Sequence, residues 1–177
     1  VLSHARQFPR RYGTGIVGAA LISSAAEGLS RSPLGEILQN PALEAARFAT
    51  RYAPNLLQRG RGAVRSVLAP VLRAASFGDA AVSPTVARYC DQMIHDTPIT
   101  TMVGFLHALG VHNETGGLPV LAKVPTLVAC GSADNLTTPE HSEEMAAALP
   151  RAELVVVGGA GHLVQLEQPD PVNAALV

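Results

Sequence analysis

The alternation of apolar and polar residues along the chain predicts, in order, a helix, a strand, a long helical insert, a strand, a helix, a strand and the start of a helix. An apolar run of strand length, Ile16 to Ser24, follows a helical pattern in residues 1–12. The runs Pro125 to Cys130 and Glu153 to Val157 are rich in β-branched residues and are typical of buried strands. The connections are long enough for crossovers, which favours a parallel sheet, and three strands alone leave an exposed edge.

The stretch between Gly28 and Gly116 shows helical periodicity without a convincing strand pattern. We expect four helices in it, at Pro41 to Tyr52, Gly62 to Ala75, Pro84 to His95 and Ile99 to Leu109. The second of these has the clearest apolar stripe, and its arginines fall on the other faces of the helix. The pattern therefore predicts a helical insert between two strands of one sheet.

The composition indicates a folded domain and gives no case for nucleic-acid binding. The chain of 177 residues is 47% hydrophobic, which is enough apolar material for one core. Its formal net charge is −1 and its pI is near 6.6. The chain therefore lacks the excess of positive charge with which nucleic-acid-binding proteins neutralise the phosphate backbone. Cys90 and Cys130 lie in apolar patterns, where a free cysteine behaves as a small hydrophobe. Abundant alanine, with Lys123 as the only lysine, suggests a GC-rich bacterial genome.

Both ends of the chain suggest a piece of a longer polypeptide. Val1 stands inside a helical pattern, and Asp170-Pro171 has the form of a helix N-cap and first turn shortly before Val177. The sequence shows neither a signal-peptide pattern nor an uninterrupted apolar span of about 18 residues. We therefore expect a cytoplasmic protein, and secretion stays open because the true N-terminus is not in view.

Two ionisable residues that follow the second and third strand patterns carry candidate chemistry. Asp134 comes after a glycine at the end of one run, and His162 comes after a glycine-rich turn at the end of the next. In open α/β sheets chemistry gathers beyond the carboxyl ends of the strands, so the acid and the imidazole can meet there. The pair suits a relay that activates a hydroxyl, because imidazole titrates near neutrality and a buried carboxylate fixes its tautomer.

These residues and their neighbours resemble the C-terminal part of an α/β-hydrolase, over roughly the last 55 residues and in that family's order of acid before histidine. The motifs are Gly131-Ser132-Ala133-Asp134 with Pro139, Leu149-Pro150-Arg151-Ala152-Glu153-Leu154, Gly158-Gly159-Ala160-Gly161-His162 and Glu167-Gln168-Pro169. The resemblance implies the α/β fold class, with a partial parallel sheet of an α/β-hydrolase fold and an inserted all-helical cap. The implied segments are core residues 1–27, a cap of residues 28–116 and core residues 117–177.

The resemblance also implies roles for the two ionisable residues. His162 is the general base, and Asp134 is the acid that orients it. Residues 1–12 are similar to the helix that follows the family's nucleophile elbow, which places the nucleophilic serine about six residues upstream of Val1. Both oxyanion-hole amides would lie upstream too, so the 177-residue chain alone is predicted to be inactive. The reaction needs no cofactor, and no metal is expected.

Several residues have alternative interpretations. Asp134 can act as a helix N-cap, His162 can be an ordinary strand-end histidine, and Glu27 can supply the acid from the end of the first strand. His107 and His112 are five residues apart and have no ligand cluster with metal spacing around them. The other histidines are expected at the surface or at helix ends: His4, His95 and His141.

The cap is expected to enclose an apolar pocket that decides which substrates fit. Leu163, next to His162, is a candidate lining residue. Four cap residues are candidates that can equally pack the cap helices together: Met93, Met102, Phe105 and Leu106. From Arg31 to Arg73 there are seven arginines against two glutamates. This locally basic half of the cap suits an acidic acyl group, a phosphate-bearing carrier or an anionic membrane surface, or is a solvated helical face.

These features favour an esterase- or lipase-like hydrolase that acts on small or medium acyl esters through an acyl-enzyme, with a Ser-His-Asp triad. A second hypothesis keeps the fold with an aspartate nucleophile, as in epoxide hydrolases or haloalkane dehalogenases, and uses Tyr52 and Tyr89 as acids. A third is a non-catalytic α/β-hydrolase-like binding protein. The expected partners are a small acyl ester, a lipid or membrane surface at the basic cap, and the remainder of the same polypeptide, which completes the fold.

Overall fold

A computed structural model describes residues 1–32, 35, 38–39, 41–52, 73–78 and 82–177. The strands are β1 (Ala19–Ile22), β2 (Thr126–Gly131) and β3 (Ala152–Val157). The helices are α1 (Leu2–Gln7), α2 (Pro41–Tyr52), α3 (Pro84–Asp96), α4 (Ile99–Gly110), α5 (Leu118–Leu121), α6 (Pro139–Ala147), α7 (Val164–Glu167) and α8 (Pro169–Leu176). Residues 73–76 are also helical, and 3₁₀ turns lie at Pro9–Arg11, Leu29–Arg31 and Thr115–Gly117. None of the helices in these ranges is long and apolar enough to cross a membrane.

The three strands form one parallel sheet in the order β1-β2-β3. In the middle strand, Thr126 is in register with Ala19 on one side and with Ala152 on the other. All six residues of β2 are buried. Small and β-branched apolar residues suit this position, because crossover helices cover both faces of a parallel sheet. Helix α6 is the crossover between β2 and β3.

Two apolar clusters cover the sheet on its two faces. On one face, Leu21 and Val128 pack in a cluster with Leu2, Leu121 and Met145, from α1, α5 and α6. Neighbouring residues of a strand point to opposite faces, so Ile22 and Val155 belong to the other side. There they pack against a second cluster, made of Val157, Ala160, Val164 and Val172.

The helical insert leaves the sheet after β1 and returns before β2, and its two ends are joined. The amide of Glu114 donates to the carbonyl of Ala26 at 2.8 Å. The Nε2 atom of His112 lies 3.0 Å from the carbonyl oxygen of Ala25. These contacts hold the entry and exit of the insert side by side at one edge of the core. The exact boundaries at residues 28 and 116 stay a prediction.

Three of the four helices predicted in the insert are confirmed. Helix α2 has the predicted bounds, while α3 and α4 each end one residue later than expected, at Asp96 and Gly110. The helix predicted at Gly62 to Ala75 lies outside the described residues up to position 72. Residues 73–76, at its end, are helical.

The three strands lie at the predicted places along the chain, but their bounds and their burial differ from the prediction. The run Ile16 to Ser24 forms a strand only over four residues, because Ile16 makes an isolated bridge with Tyr12 and Ser23 adopts a φ of 44°. The third strand is not buried on both faces. Leu154 and Val156 point to the same face of the sheet and are 38% and 44% exposed, so the described residues cover that face of β3 only in part.

One helix start differs from the prediction, and of the two places expected for His141 the structure shows the helix end and not the surface. The last helix begins at Pro169, one residue before the predicted cap, and it contains eight residues. His141 lies in the first turn of α6, yet it is buried and not at the surface. Its Nε2 atom is 3.2 Å from the carbonyl of Gly28, and its Nδ1 atom is 3.1 Å from the hydroxyl of Thr138. His141 therefore anchors the start of the helical insert to the core.

Truncation of a fully buried core side chain tests this packing. Leu121→Ala, at a side chain with no exposed surface, should lower the free energy of unfolding by about 2–5 kcal/mol, because it leaves a cavity beside the sheet. The matched control Val17→Ala, at a position 71% exposed, should change it by less than about 0.5 kcal/mol. Urea denaturation measures both, and equal effects would contradict the assigned core.

Candidate active site

The loops after β2 and β3 begin side by side, because Gly131 and Val157 are in register at the carboxyl ends of their strands. The amide of Ser132 donates to the carbonyl of Val157 at 2.9 Å, and the amide of Ala133 donates to the carbonyl of Ala160 at the same distance. The two loops are therefore joined backbone to backbone. Each places one ionisable residue beyond the sheet.

The contact between these loops requires a glycine at position 131. A Cβ atom built on Gly131 would overlap the carbonyl oxygens of Ala160 and Gly161. Any larger residue would push the two loops apart and separate the side chains that they carry. The glycine that ends the second strand is thus explained by the approach of the histidine loop.

Asp134 and His162 meet where the two loops join. The Nδ1 atom of His162 lies 3.0 Å from the Oδ2 atom of Asp134, and the carboxylate is completely buried while the imidazole side chain is 27% exposed. This geometry assigns the Nδ1 proton to the bond with Asp134. Among the described residues, Nε2 of His162 has no hydrogen-bond partner. The free nitrogen is therefore the one that can exchange a proton with a reacting group.

The carboxylate of Asp134 has further donors on both oxygens. Its Oδ1 atom accepts the amides of Leu136 and Thr137 at 2.8 and 2.9 Å, and its Oδ2 atom accepts the Thr137 hydroxyl at 2.9 Å. Burial alone would raise the pKa of Asp134, but the bond and charge of His162 and the two amides outweigh burial and hold that pKa below its usual value. The carboxylate is therefore ionised at neutral pH.

Thr137 is a site residue that sequence reasoning missed. Besides its bond to Asp134, its hydroxyl oxygen lies 3.2 Å from Nδ1 of His162. The signal that could have identified it is an aspartate followed two and three residues later by free amides, which is the pattern of an Asx turn.

The alternative acid makes other contacts, and of the two tyrosines Tyr89 lines the same pocket as Leu163. The Oε2 atom of Glu27 accepts a hydrogen bond from Asn113 at 2.8 Å, at the neck of the insert. Tyr52 is 63% exposed and stacks on Phe48, and Tyr89 is 60% exposed. Asp134 alone of the two acids hydrogen-bonds His162 among the described contacts.

A pocket of about 350 Å³ lies between α3 and the turn that follows His162. Of the predicted lining residues, Leu163 and Met93 contribute to it, together with Phe77, Cys90 and Leu166. The other three do not: Met102, Phe105 and Leu106, of which Phe105 is 67% exposed. These three residues lie on α4. Their role as substrate-pocket residues stays a prediction.

The arginines of the insert are largely paired where the structure describes them. Arg31, Arg47 and Arg73 form ion pairs with Glu144, Glu44 and Asp91. Arg59, Arg61 and Arg65 lie outside the described residues. Within the described part of the chain, no group of three or more histidine, cysteine, aspartate or glutamate side chains could hold a metal ion.

Comparisons with known proteins agree with this architecture. Among solved structures, a thermophilic esterase from Thermogutta terrifontis, with malate bound, is 26% identical with a TM-score of 0.71, and the match covers 99% of this chain and 58% of the esterase. An esterase from Exiguobacterium antarcticum and the enol-lactonase from Burkholderia xenovorans LB400 share the fold at 16% and 19% identity, with TM-scores of 0.70 and 0.60. The match covers 99% of this chain in both cases, and 61% and 60% of those proteins.

A curated relative and a family model complete the comparison. The polyketide synthase ThaQ from Burkholderia thailandensis is 36% identical over 75 residues, which are 42% of this chain and 4% of the synthase. The chain thus spans less than two thirds of the length of each of these proteins. The model described as the alpha/beta hydrolase family matches residues 6–175. Since this match covers nearly the whole chain, the chain belongs to the alpha/beta hydrolase family.

Proposed function

We propose that the intact polypeptide hydrolyses carboxylic esters of small or medium acyl groups with a Ser-His-Asp triad, of which this chain supplies Asp134 and His162. The observation that carries the proposal is the 3.0 Å bond between a buried carboxylate and an imidazole whose Nε2 atom has no partner among the described residues. The 26% identity to an esterase over nearly the whole chain supports ester chemistry. The serine and the oxyanion-hole amides would come from polypeptide upstream of Val1.

In the proposed reaction, Nε2 of His162 takes the proton of the serine hydroxyl as its oxygen bonds to the ester carbonyl carbon. The charge of Asp134 stabilises the imidazolium that forms, and the Nδ1 bond keeps the ring oriented. The imidazolium then gives its proton to the departing alkoxide, which leaves an acyl-enzyme. A water molecule, deprotonated by the same nitrogen, releases the acid and restores the serine. The pocket beside Leu163 is proposed to take part of the substrate.

A second candidate is the same relay acting on an acyl chain of polyketide type. It is favoured by the 36% identity over 75 residues to a polyketide synthase. Esters and thioesters present the same carbonyl to a serine, so the triad serves either. A substrate panel that contains both, with acyl groups of increasing length, distinguishes the two candidates by the ratio of their kcat/KM values.

Removal of the proposed base should abolish turnover. In the intact polypeptide, His162→Ala should lower kcat for a nitrophenyl ester by about 10⁴-fold, because it removes the group that is proposed to take the serine proton. The matched control is His95→Ala, at an exposed residue of α3, which should stay within about threefold of wild type. Activity of His162→Ala within about tenfold of wild type would show that His162 is not the base.

The chain of 177 residues by itself should show no saturable turnover of the same ester. The proposal places the nucleophile outside these residues, so the acid and the base have nothing to activate. Steady-state assays of the isolated chain beside the intact polypeptide make the comparison. Saturable hydrolysis by the isolated chain would contradict an upstream nucleophile.

The proposal also requires an ionised Asp134, which stability measurements can test. The folded pKa of Asp134 is lowered, so its contribution to stability is present above the unfolded pKa of about 3.9 and is lost as pH falls through the folded pKa. The loss of stability in Asp134→Asn, measured by urea denaturation, should be largest above pH ~5 and should shrink toward acid pH. Asp96→Asn, at an exposed residue of α3, is the control. A pH-independent difference for Asp134→Asn would count against the ionised carboxylate.

A further inference from the structure

A single carboxylate joins the histidine loop to the segment of the insert at residues 76–78. The Oε1 atom of Glu167 accepts the amide of Gly161 at 3.0 Å, and its Oε2 atom accepts the amide of Gly78 at 2.9 Å. Gly161 directly precedes His162, whereas Gly78 is 89 residues from Glu167 along the chain. The side chain is half-buried at the end of α7, between the two backbones that it connects.

The two backbones also touch each other directly. A Cβ atom on Gly78 would overlap the Gly159 carbonyl oxygen, and a Cβ atom on Gly161 would overlap the amide nitrogen of Gly78. Only glycine at both positions permits this approach. In addition, the amide of Leu163 donates to the carbonyl of Ser76 at 3.1 Å. The segment at residues 76–78 is therefore fixed to the chain on both sides of His162.

This arrangement determines where the imidazole stands. The amide of Gly161, one residue before His162, is bound by Glu167, and the peptide that follows His162 is bound by the carbonyl of Ser76. The distance from His162 to Asp134 and the direction of Nε2 both depend on these two peptides. Misplacement of a catalytic group by about 1 Å can cost about 10²-fold in rate, so the supports of the histidine loop matter for turnover.

We propose that Glu167 is a positioning residue, which fixes the His162 loop and the insert segment at residues 76–78 in one arrangement. The inference rests on the proposed ester hydrolysis and extends it to a residue outside the triad. It also concerns the substrate pocket, because Ser76, Phe77 and Leu163 line that cavity. The Glu167 carboxylate thereby fixes the position of the His162 loop and of one wall of the pocket.

The chemistry of the contact explains why a carboxylate stands at position 167. Each oxygen faces one amide donor, so an ionised carboxylate satisfies both, and each charge-assisted bond is stronger than a neutral one. A glutamine has the same shape, but its NH₂ group would face one of the two N–H groups. One bond would be lost and one donor would be left unpaired.

The test compares Glu167→Gln and Glu167→Ala in the intact polypeptide. Glu167→Gln should lower kcat by about 10- to 100-fold with a smaller change in KM, and Glu167→Ala should lower it at least as much. Glu167→Asp, which keeps the charge but shortens the reach, should fall between wild type and Glu167→Ala. Hydrogen exchange followed by mass spectrometry should show faster exchange at residues 76–78 and 159–163 together.

Two controls separate positioning from general stability. Glu143→Gln, at an exposed glutamate of α6, should leave kcat and exchange unchanged. Val172→Ala removes methyl groups from the cluster beneath the histidine loop without touching the two amides. It should lower the melting temperature while kcat falls less than in Glu167→Gln.

Three results would overturn the inference. Turnover of Glu167→Gln within about threefold of wild type would show that position 167 does not support the base. A loss of kcat in Val172→Ala as large as that in Glu167→Gln would show that Glu167 contributes only to stability. Unchanged exchange at residues 76–78 would show that the carboxylate does not hold the insert. Absence of ester turnover in the wild-type polypeptide is a different result, because it overturns the proposed function and this inference with it.

Discussion

The hydrogen bond between the buried carboxylate of Asp134 and the imidazole of His162 is the interaction on which the rest of the site depends. Burial of a charge costs free energy unless donors compensate it, and here four donors surround one carboxylate. Three of the four come from the turn at residues 136–137, so the acid is already satisfied before the histidine contributes. The imidazole is then oriented by a fixed charge, and only its other nitrogen faces outward.

Backbone contacts between the two loops hold this pair in place. Gly131 lets the two loops touch, and the bond from Ala133 to Ala160 fixes their relative height above the sheet. The parallel register of β2 and β3 sets the starting point of both loops. In the same way, the insert reaches the histidine loop through glycine at position 78 and through Glu167. A site assembled by backbone approach tolerates few substitutions at its glycines, even though those residues have no chemistry of their own.

Local sequence determines some of these features and leaves others open. The places of the three strands along the chain and three of the four helices of the insert could be predicted, because apolar periodicity reports the buried face of each element. The proximity of Asp134 and His162 follows from two neighbouring parallel strands that both end in short glycine turns. The contact between Glu167 and Gly78 could not be predicted, since its partners are distant in sequence and no local pattern encodes it. The exposure of β3 and the burial of His141 likewise depend on which elements pack nearby, not on the residues themselves.

The most direct test of the account is nitrogen-15 NMR of the His162 ring in the intact polypeptide, with assignment by comparison with His162→Gln. In the neutral ring we predict that the proton lies on Nδ1, that it gives a downfield resonance, and that Asp134→Asn removes this resonance. A ring that carries its proton on Nε2, or an Nδ1 signal that Asp134→Asn leaves unchanged, would contradict the assignment of Asp134 and His162 as acid and base.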